Sequence, residues 1–237
     1  MKRTLLQWTK RVIFNAFTAK LFLPTSLRLH TFAYHLSSRF ASAANHGEHP
    51  KHRIIGYKEW FLSQIRSKDT VLDVGCNTGK LSITLSAKAS FVYGIEISPV
   101  HIAEAKAKNS RDNIQYLLAD ATTFDYSSCT PIDVVTLSNV LEHIEDREAF
   151  LASLNSRVTW RDPYAKRMLI RVPLLEREWP TILKREMGLE YRLDRTHWTE
   201  YTIDGLETEL KSAGFEITFS FVRFGELYAS AIGQPFT

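Results

Sequence analysis

Val71-Leu72-Asp73-Val74-Gly75-Cys76-Asn77-Thr78-Gly79-Lys80 decides the fold of this chain. Thr70 to Val74 is a short, largely apolar and β-branched run, which reads as a buried strand. Gly75 and Gly79 then mark a turn, and a helix is expected to start near Lys80. Glycine serves where the backbone adopts positive φ or must come close to a ligand, and the helix N-terminus beyond the turn presents free N–H groups.

On either side of this unit the same alternation continues. A helix is expected over Ile54 to Ile65, upstream of the first strand. Downstream come a strand at Phe91 to Ile95, a helix at Pro99 to Lys108 and a strand at Ile114 to Leu118. Then follow a strand at Ile132 to Leu137, a helix at Asp146 to Val158 and a strand at Arg167 to Val172. Strands alternating with helices of these lengths give βαβ units, hence an α/β fold whose mostly parallel sheet has helices on both faces. After Pro173 the pattern loosens through Trp179, Met187 and Trp198, longer than an ordinary connection, so a lid or substrate-facing insertion is expected. A last helix, Thr202 to Ala213, stops at Gly214 as a C-terminal cap. The β-rich runs Phe215 to Arg223 and Glu226 to Ile232 are expected to form an antiparallel edge.

Charge divides the chain differently from hydropathy. At 237 residues and 44% hydrophobic it holds one substantial core. The expected organisation is a basic helical extension over residues 1–48 and one domain over 49–237, with Asn45 to Pro50 as the linker. Residues 1 to 47 carry Lys2, Arg3, Lys10, Arg11, Lys20, Arg28 and Arg39 without an acid, while the remaining 23 basic and 26 acidic residues sum to −3. A slightly acidic body offers no basic face for a nucleic-acid backbone, so no nucleic acid is expected as partner, and an anionic partner should meet the extension. Charges interrupt every apolar stretch there before the roughly 20 residues of a bilayer span, and the segment also makes a poor signal peptide. Three readings stay open: two packed helices, Lys2 to Leu23 and Thr25 to Ala43, broken at Pro24; an interfacial helix in peripheral membrane contact; or a mitochondrial transit peptide. Cys76 and Cys129 are too few for a disulfide framework and lack zinc-site spacing. The expected location is cytoplasmic.

The loop spacing is D-x-G-x-x-x-G, with Asp73 standing where a dinucleotide fingerprint has its first glycine. That argues against an NAD-dependent dehydrogenase and for a nucleoside that carries a carboxylate. Glu96 closes Tyr93-Gly94-Ile95-Glu96, about twenty residues after Gly75, where an acid can accept both ribose hydroxyls. Asp120, in Leu118-Ala119-Asp120-Ala121, ends the third strand and can accept from an adenine amino group. Asp133 to His143 places polar residues at the carboxyl end of the fourth strand, beside the expected crevice.

Together these motifs resemble the class I, Rossmann-like S-adenosylmethionine-dependent methyltransferases, especially the small-molecule group that includes quinone-biosynthesis enzymes. The resemblance covers roughly His49 to Phe221. It implies a seven-stranded sheet in the order 3-2-1-4-5-7-6 with strand 7 antiparallel, and S-adenosyl-L-methionine as cofactor. It places Asp73, Gly75, Cys76, Asn77 and Gly79 around the methionine part, Glu96 on ribose with Ile97 next to it, Asp120 and Ala121 on adenine, and Asn139 near the methyl group. Cys76-Asn77 departs from the more usual Cys-Gly and makes the loop less flexible. Cys76 itself reads as a small turn residue, since no histidine base accompanies it as a nucleophile requires. Lys51 and Arg53 either reach the cofactor carboxylate or belong to a solvated helix start.

Methyl transfer from a sulfonium is an in-line displacement that asks mainly for alignment and exclusion of water. A hydroxyl or ammonium acceptor would gain from a base, and His143 and His197 are the first candidates because histidine titrates near neutrality. Tyr201 and Glu142 are lesser candidates, and His143 also reads as a helix-start residue satisfied by its neighbours. Glu142, His143 and His197 further resemble the metal ligands of small-RNA 3′-terminal 2′-O-methyltransferases. In those enzymes another Glu precedes the pair where this chain has Asn139, which brings no charge, so no metal is expected. Metal-dependent RNA methylation and a non-catalytic cofactor-binding module are the alternatives to methylation of a small-molecule or lipid-linked acceptor. Intact acids at three cofactor positions argue against the module.

Overall fold

The computed structural model describes residues 14–163 and 165–234. The part of the extension before Phe14 lies outside the described residues. By chain contacts the described residues up to Ile54, with Glu178–Tyr191, form one compact unit, and Ile55–Arg177 with the chain from Arg192 onward form the other. The division falls a few residues after the one expected at 48/49, and part of the expected insertion groups with the N-terminal unit.

The larger unit is built on one seven-stranded sheet: β1 (Thr70–Val74), β2 (Phe91–Glu96), β3 (Ile114–Leu118), β4 (Val134–Ser138), β5 (Arg167–Pro173), β6 (Phe215–Arg223) and β7 (Glu226–Gly233). Their order is β3-β2-β1-β4-β5-β7-β6; the first five are mutually parallel, and β7 runs antiparallel to β5 and β6. This is the order that the family resemblance implies. All five residues of β1 are buried, as a central parallel strand covered on both faces requires. Side chains alternate between faces, so Val71 joins Phe61, Leu81, Leu85 and Val92 in one core, and Leu72 and Val74 join Phe150, Leu154, Leu206 and Leu210 in another. The first core is closed by α3 (Tyr57–Gln64) and α4 (Lys80–Leu85), the second by α6 (Arg147–Arg157) and α8 (Ile203–Ser212). The α5 helix (Pro99–Lys108) starts on the Ser98 cap and carries lysines in its last turn, as its dipole favours.

Three sequence expectations change. The helix expected over Ile54 to Ile65 is broken at Gly56, whose φ of 66° separates α2 (Lys51–Ile55) from α3. The fourth strand starts at Val134 rather than Ile132, because Ile132 bridges to Trp160 and the Asp133 carboxylate accepts the Thr70 N–H at 2.7 Å. In the smaller unit, Pro24 does not end a helix: α1 runs from Ala16 to Ala44 through it. Asn15 caps α1 reciprocally with Thr18, and the rung lost at Pro24 lies beside exposed Lys20, where water can serve the freed carbonyl. Within this unit α7 (Trp179–Glu186) packs against α1.

The buried pair Arg171–Glu226 joins β5 to β7 at 3.4 Å, with the guanidinium 4.1 Å from the Tyr57 ring centroid. Removing Arg171 takes away the guanidinium that Glu226 meets in the interior, where an ion pair is costly to break. Arg171→Met is expected to cost about 3–5 kcal/mol, and Arg171→Met/Glu226→Leu to recover most of it; thermal melts of both variants check this, and equal losses would contradict it.

Candidate functional site

The turn after β1 owes its shape to close approach from above and below. Gly75 has φ 67°, and a Cβ there would meet Val140 Cγ2 at 2.6 Å. Gly79 has φ 77°, and a Cβ there would collide with the Tyr116 hydroxyl. Asn77 also lies in the left-handed region, φ 49°, a conformation asparagine tolerates. Its N–H donates to Glu96 Oε2 at 3.0 Å, while Ser98 N–H donates to Oε1 at 2.9 Å, so Glu96 ties the turn to the end of β2.

Beneath the turn lies Asp73. Ser82 Oγ donates to one carboxylate oxygen at 2.6 Å and Thr136 Oγ1 to the other at 2.8 Å, which fastens α4 and β4 to β1. Burial pushes its pKa up to about 6, against the two hydrogen bonds. Cys76 is buried against Ile102, Ala105 and Tyr116, and burial pushes its thiol up as well. Asp73, Cys76 and Gly79 shape the turn from below, while Gly75 and Asn77 of the same turn line the cavity above it.

That cavity has a volume of about 740 Å³ and lies across the carboxyl ends of β1 to β4. Gly75 and Asn77, Glu96 and Ile97, Asp120 and Ala121, and Asn139 and Val140 line it, joined by His143 and Trp198. Ile97 is 65% exposed at its rim. Asp120 Oδ1 accepts from Thr122 N–H at 2.9 Å and Thr122 Oγ1 at 2.7 Å, which orients the carboxylate and leaves acceptor capacity on Oδ2. Asn139 has φ 56° and donates its N–H to the Arg171 carbonyl at 2.8 Å; with its amide oriented by the hydrogen-bond network, the side chain also pairs with Arg171.

A polar cluster adjoins the cavity. Glu142 and His143 occupy a single 3-10 turn after β4, and the Trp198 N–H donates to the Glu142 carbonyl at 2.7 Å, which brings His197 alongside. The His143 and His197 rings stand edge to face with centroids 4.7 Å apart, and one ligand atom from each of Glu142, His143 and His197 lies within 4.8 Å of the others. Both Glu142 carboxyl oxygens are buried without a hydrogen-bond partner, and burial pushes the group's pKa up to about 8. Burial, then the charge of His143, pushes His197 down to about 4. Two imidazoles and an orphaned buried carboxyl are a donor set that fits a first-row divalent cation.

Thr196 Oγ1 lies 3.1 Å from His143 Nδ1 and 2.9 Å from Asp194 Oδ1. A hydroxyl has one proton. Given to the Asp194 carboxylate, it leaves Thr196 Oγ1 to accept from His143 Nδ1–H and Nε2 as the basic nitrogen. Thr196 and Asp194 were missed in sequence; the Asp-x-Thr turn is visible there, but its pairing with a histidine 53 positions away is not. Tyr201, a lesser base candidate, is buried away from the cavity lining: its hydroxyl donates to Glu209 Oε2 at 2.7 Å, and burial raises its pKa further. Lys51 and Arg53 lie on α2, in the N-terminal unit.

Asp73 gives a pH signature. Its folded pKa, about 6, exceeds the ordinary aspartate value of 3.8, so the folded state favours the protonated form. Its contribution to stability is fully present below about 4 and is lost as pH rises through 6. Asp73→Asn, whose amide can still satisfy both hydroxyls, is expected to gain stability relative to the wild type between pH 4 and 7 in urea titrations. A difference independent of pH would contradict the buried carboxyl.

Comparison with known proteins gives a family. Residues 46–219 match the methyltransferase-domain family. The chain is 27% identical over 154 residues to a ubiquinone biosynthesis O-methyltransferase of Rhodopseudomonas palustris, an alignment covering 62% of this chain and 58% of that protein. It is 33% identical over 93 residues to the mitochondrial ubiquinone biosynthesis O-methyltransferase of Schizosaccharomyces pombe, covering 37% and 33%. It is 38% identical over 91 residues to an uncharacterized RNA methyltransferase of Chlamydia caviae, covering 36% and 22%. The alignments thus span less than two thirds of these relatives. Among solved structures, the DhpI–SAH complex superposes with TM-score 0.61 at 20% identity, covering 89% of this chain and 98% of that one. Magnesium protoporphyrin IX methyltransferase of Synechocystis PCC 6803 with bound SAH superposes with TM-score 0.58 at 20% identity, covering 78% and 83%. These structures share its fold.

Proposed function

The chain belongs to the methyltransferase-domain family, and on that premise we propose that it transfers a methyl group from S-adenosylmethionine to an oxygen of a small-molecule or lipid-linked acceptor. One observation carries the reading: a nucleoside-sized cavity lies across four strand ends, with Glu96 and Asp120 as carboxylates at the second and third and a glycine turn at the first. Glu96 accepts from the ribose hydroxyls, Asp120 from the adenine amino group, and the Gly75 to Asn77 backbone faces the methionine part. The acceptor approaches from the side of His143 and Trp198. As the acceptor oxygen bonds the methyl carbon, the C–S bond breaks, the sulfonium becomes the neutral thioether of S-adenosylhomocysteine, and the acceptor proton passes to His143 Nε2. Thr196 and Asp194 are positioning residues that fix the tautomer of His143. The ubiquinone-pathway relatives support an oxygen acceptor of this kind.

Calorimetric titration tests the cofactor. S-adenosylmethionine is expected to bind saturably and NAD not at all, with Glu96→Ala and Asp120→Ala each weakening binding about tenfold or more, the loss of a charge-assisted hydrogen bond. No binding to folded protein would overturn the reading and favour a module that has lost its cofactor.

The orphaned Glu142 carboxyl favours a second reading of the same cluster, in which Glu142, His143 and His197 hold a divalent cation. Such an ion would polarise the acceptor oxygen as a Lewis acid. The RNA-methylating relative leaves an RNA acceptor open under this reading, although the net charge of −3 beyond residue 47 argues against one. Chelation separates the two. With His143 as a simple base, turnover survives a chelator, and Thr196→Val lowers kcat and shifts its pH profile with the KM for S-adenosylmethionine unchanged. With a bound ion, chelation abolishes turnover and a divalent metal restores it.

A further inference from the structure

The α1 helix has two different apolar faces. Leu27 is its buried residue, and the half-buried Leu23, Pro24, Thr31, Ser38 and Ala41 fall on the same side at about 100° per residue. Leu21, Phe22, Leu29, Phe32, Leu36 and Phe40 all fall within about 60° of the opposite side. These six are 40–65% exposed. Scattered exposed apolar residues need no explanation, but six on one face of one helix make a contiguous stripe. Arg28 and Arg39 both lie along one edge of that stripe, Lys20 lies on the same helix, and residues 1 to 47 contain no acid.

We propose that this outer face of α1 docks the protein flat on a bilayer containing anionic lipid. The stripe supplies the apolar surface that sinks to the headgroup boundary, and the cations along its edge meet the negative headgroups, the pattern of an interfacial helix. At 29 residues α1 is about 43 Å long, enough to lie across several lipids. It does not thread the bilayer: no described helix is long and apolar enough to cross a membrane. Trp179, at the start of α7 in the same compact unit, is 71% exposed and is the residue type that settles at headgroup level. A basic helix without acids matches a lipid surface better than a second copy, whose corresponding face would carry the same positive charge. The proposal is independent of the methyl acceptor.

Sedimentation of the full chain with vesicles tests it. With phosphatidylcholine vesicles containing about one-third phosphatidylglycerol, binding is expected to exceed that to pure phosphatidylcholine by tenfold or more and to weaken with salt, at about fivefold per cation engaged. Phe32→Ser/Leu36→Ser should abolish binding, and Arg28→Gln/Arg39→Gln should remove the preference for phosphatidylglycerol. Melting temperature and calorimetric binding of S-adenosylmethionine, measured on the same variants, report folding and the cofactor site separately. Wild-type protein that stays in the supernatant, or sediments equally with both vesicles, would overturn the proposal. A dimer in analytical ultracentrifugation that Phe32→Ser/Leu36→Ser dissociates would overturn it too, by giving the face to a second copy.

Discussion

Ser82 on α4 and Thr136 on β4 both donate to the carboxylate of Asp73 on β1, and the ligand-binding end of the sheet depends on that junction. It joins three elements directly below the turn that must come close to a cofactor. The cost is a carboxylate without water, visible in its pKa near 6. Because Asp73 holds the floor, the Gly75 and Asn77 backbone is left free to line the cavity above. Glu96 completes the arrangement from the side, receiving the Asn77 N–H and keeping acceptor capacity for a ligand.

A second buried polar group lies behind the fourth strand end. Arg171 meets Glu226 across β5 and β7, pairs with Asn139, and opposes the burial of Glu142. The same guanidinium thus supports the antiparallel strand and the loop that carries the candidate chemistry. Glu142 and His197 are both held toward their neutral forms by burial, which suits a site that handles one proton or one cation in a low-dielectric setting. His143 is the exposed member of this cluster and lines the cavity.

The strand positions and the turn were legible because they are local. Thr70–Val74, Pro99–Lys108 and Ile114–Leu118 follow from β-branched runs, a Ser-Pro start and chain periodicity, and each is found at those residues. The β7 strand could be read as antiparallel, but its insertion between β5 and β6 rested on the family resemblance. Pro24 misled because a single lost rung, at the carbonyl of exposed Lys20, costs less than breaking a capped helix of this length. Among the site residues, the strand-end acids were readable from spacing. The depth of Asp73, Cys76 and Gly79 was not, since a motif gives sequence order and not which side of a loop faces the ligand. The contacts among His143, Thr196 and His197 join segments some 50 residues apart and arise only from tertiary packing.

The central claim is that one nucleoside-bearing ligand spans the carboxyl ends of β1 to β4. Hydrogen–deuterium exchange with and without saturating S-adenosylhomocysteine tests it most directly. The account predicts slowed exchange in the turn from Gly75 to Gly79, at Glu96 and Ile97, from Ala119 to Thr122 and from Asn139 to Ile144, with the β6–β7 hairpin unchanged. Protection confined to other segments, or none at saturation, would contradict it.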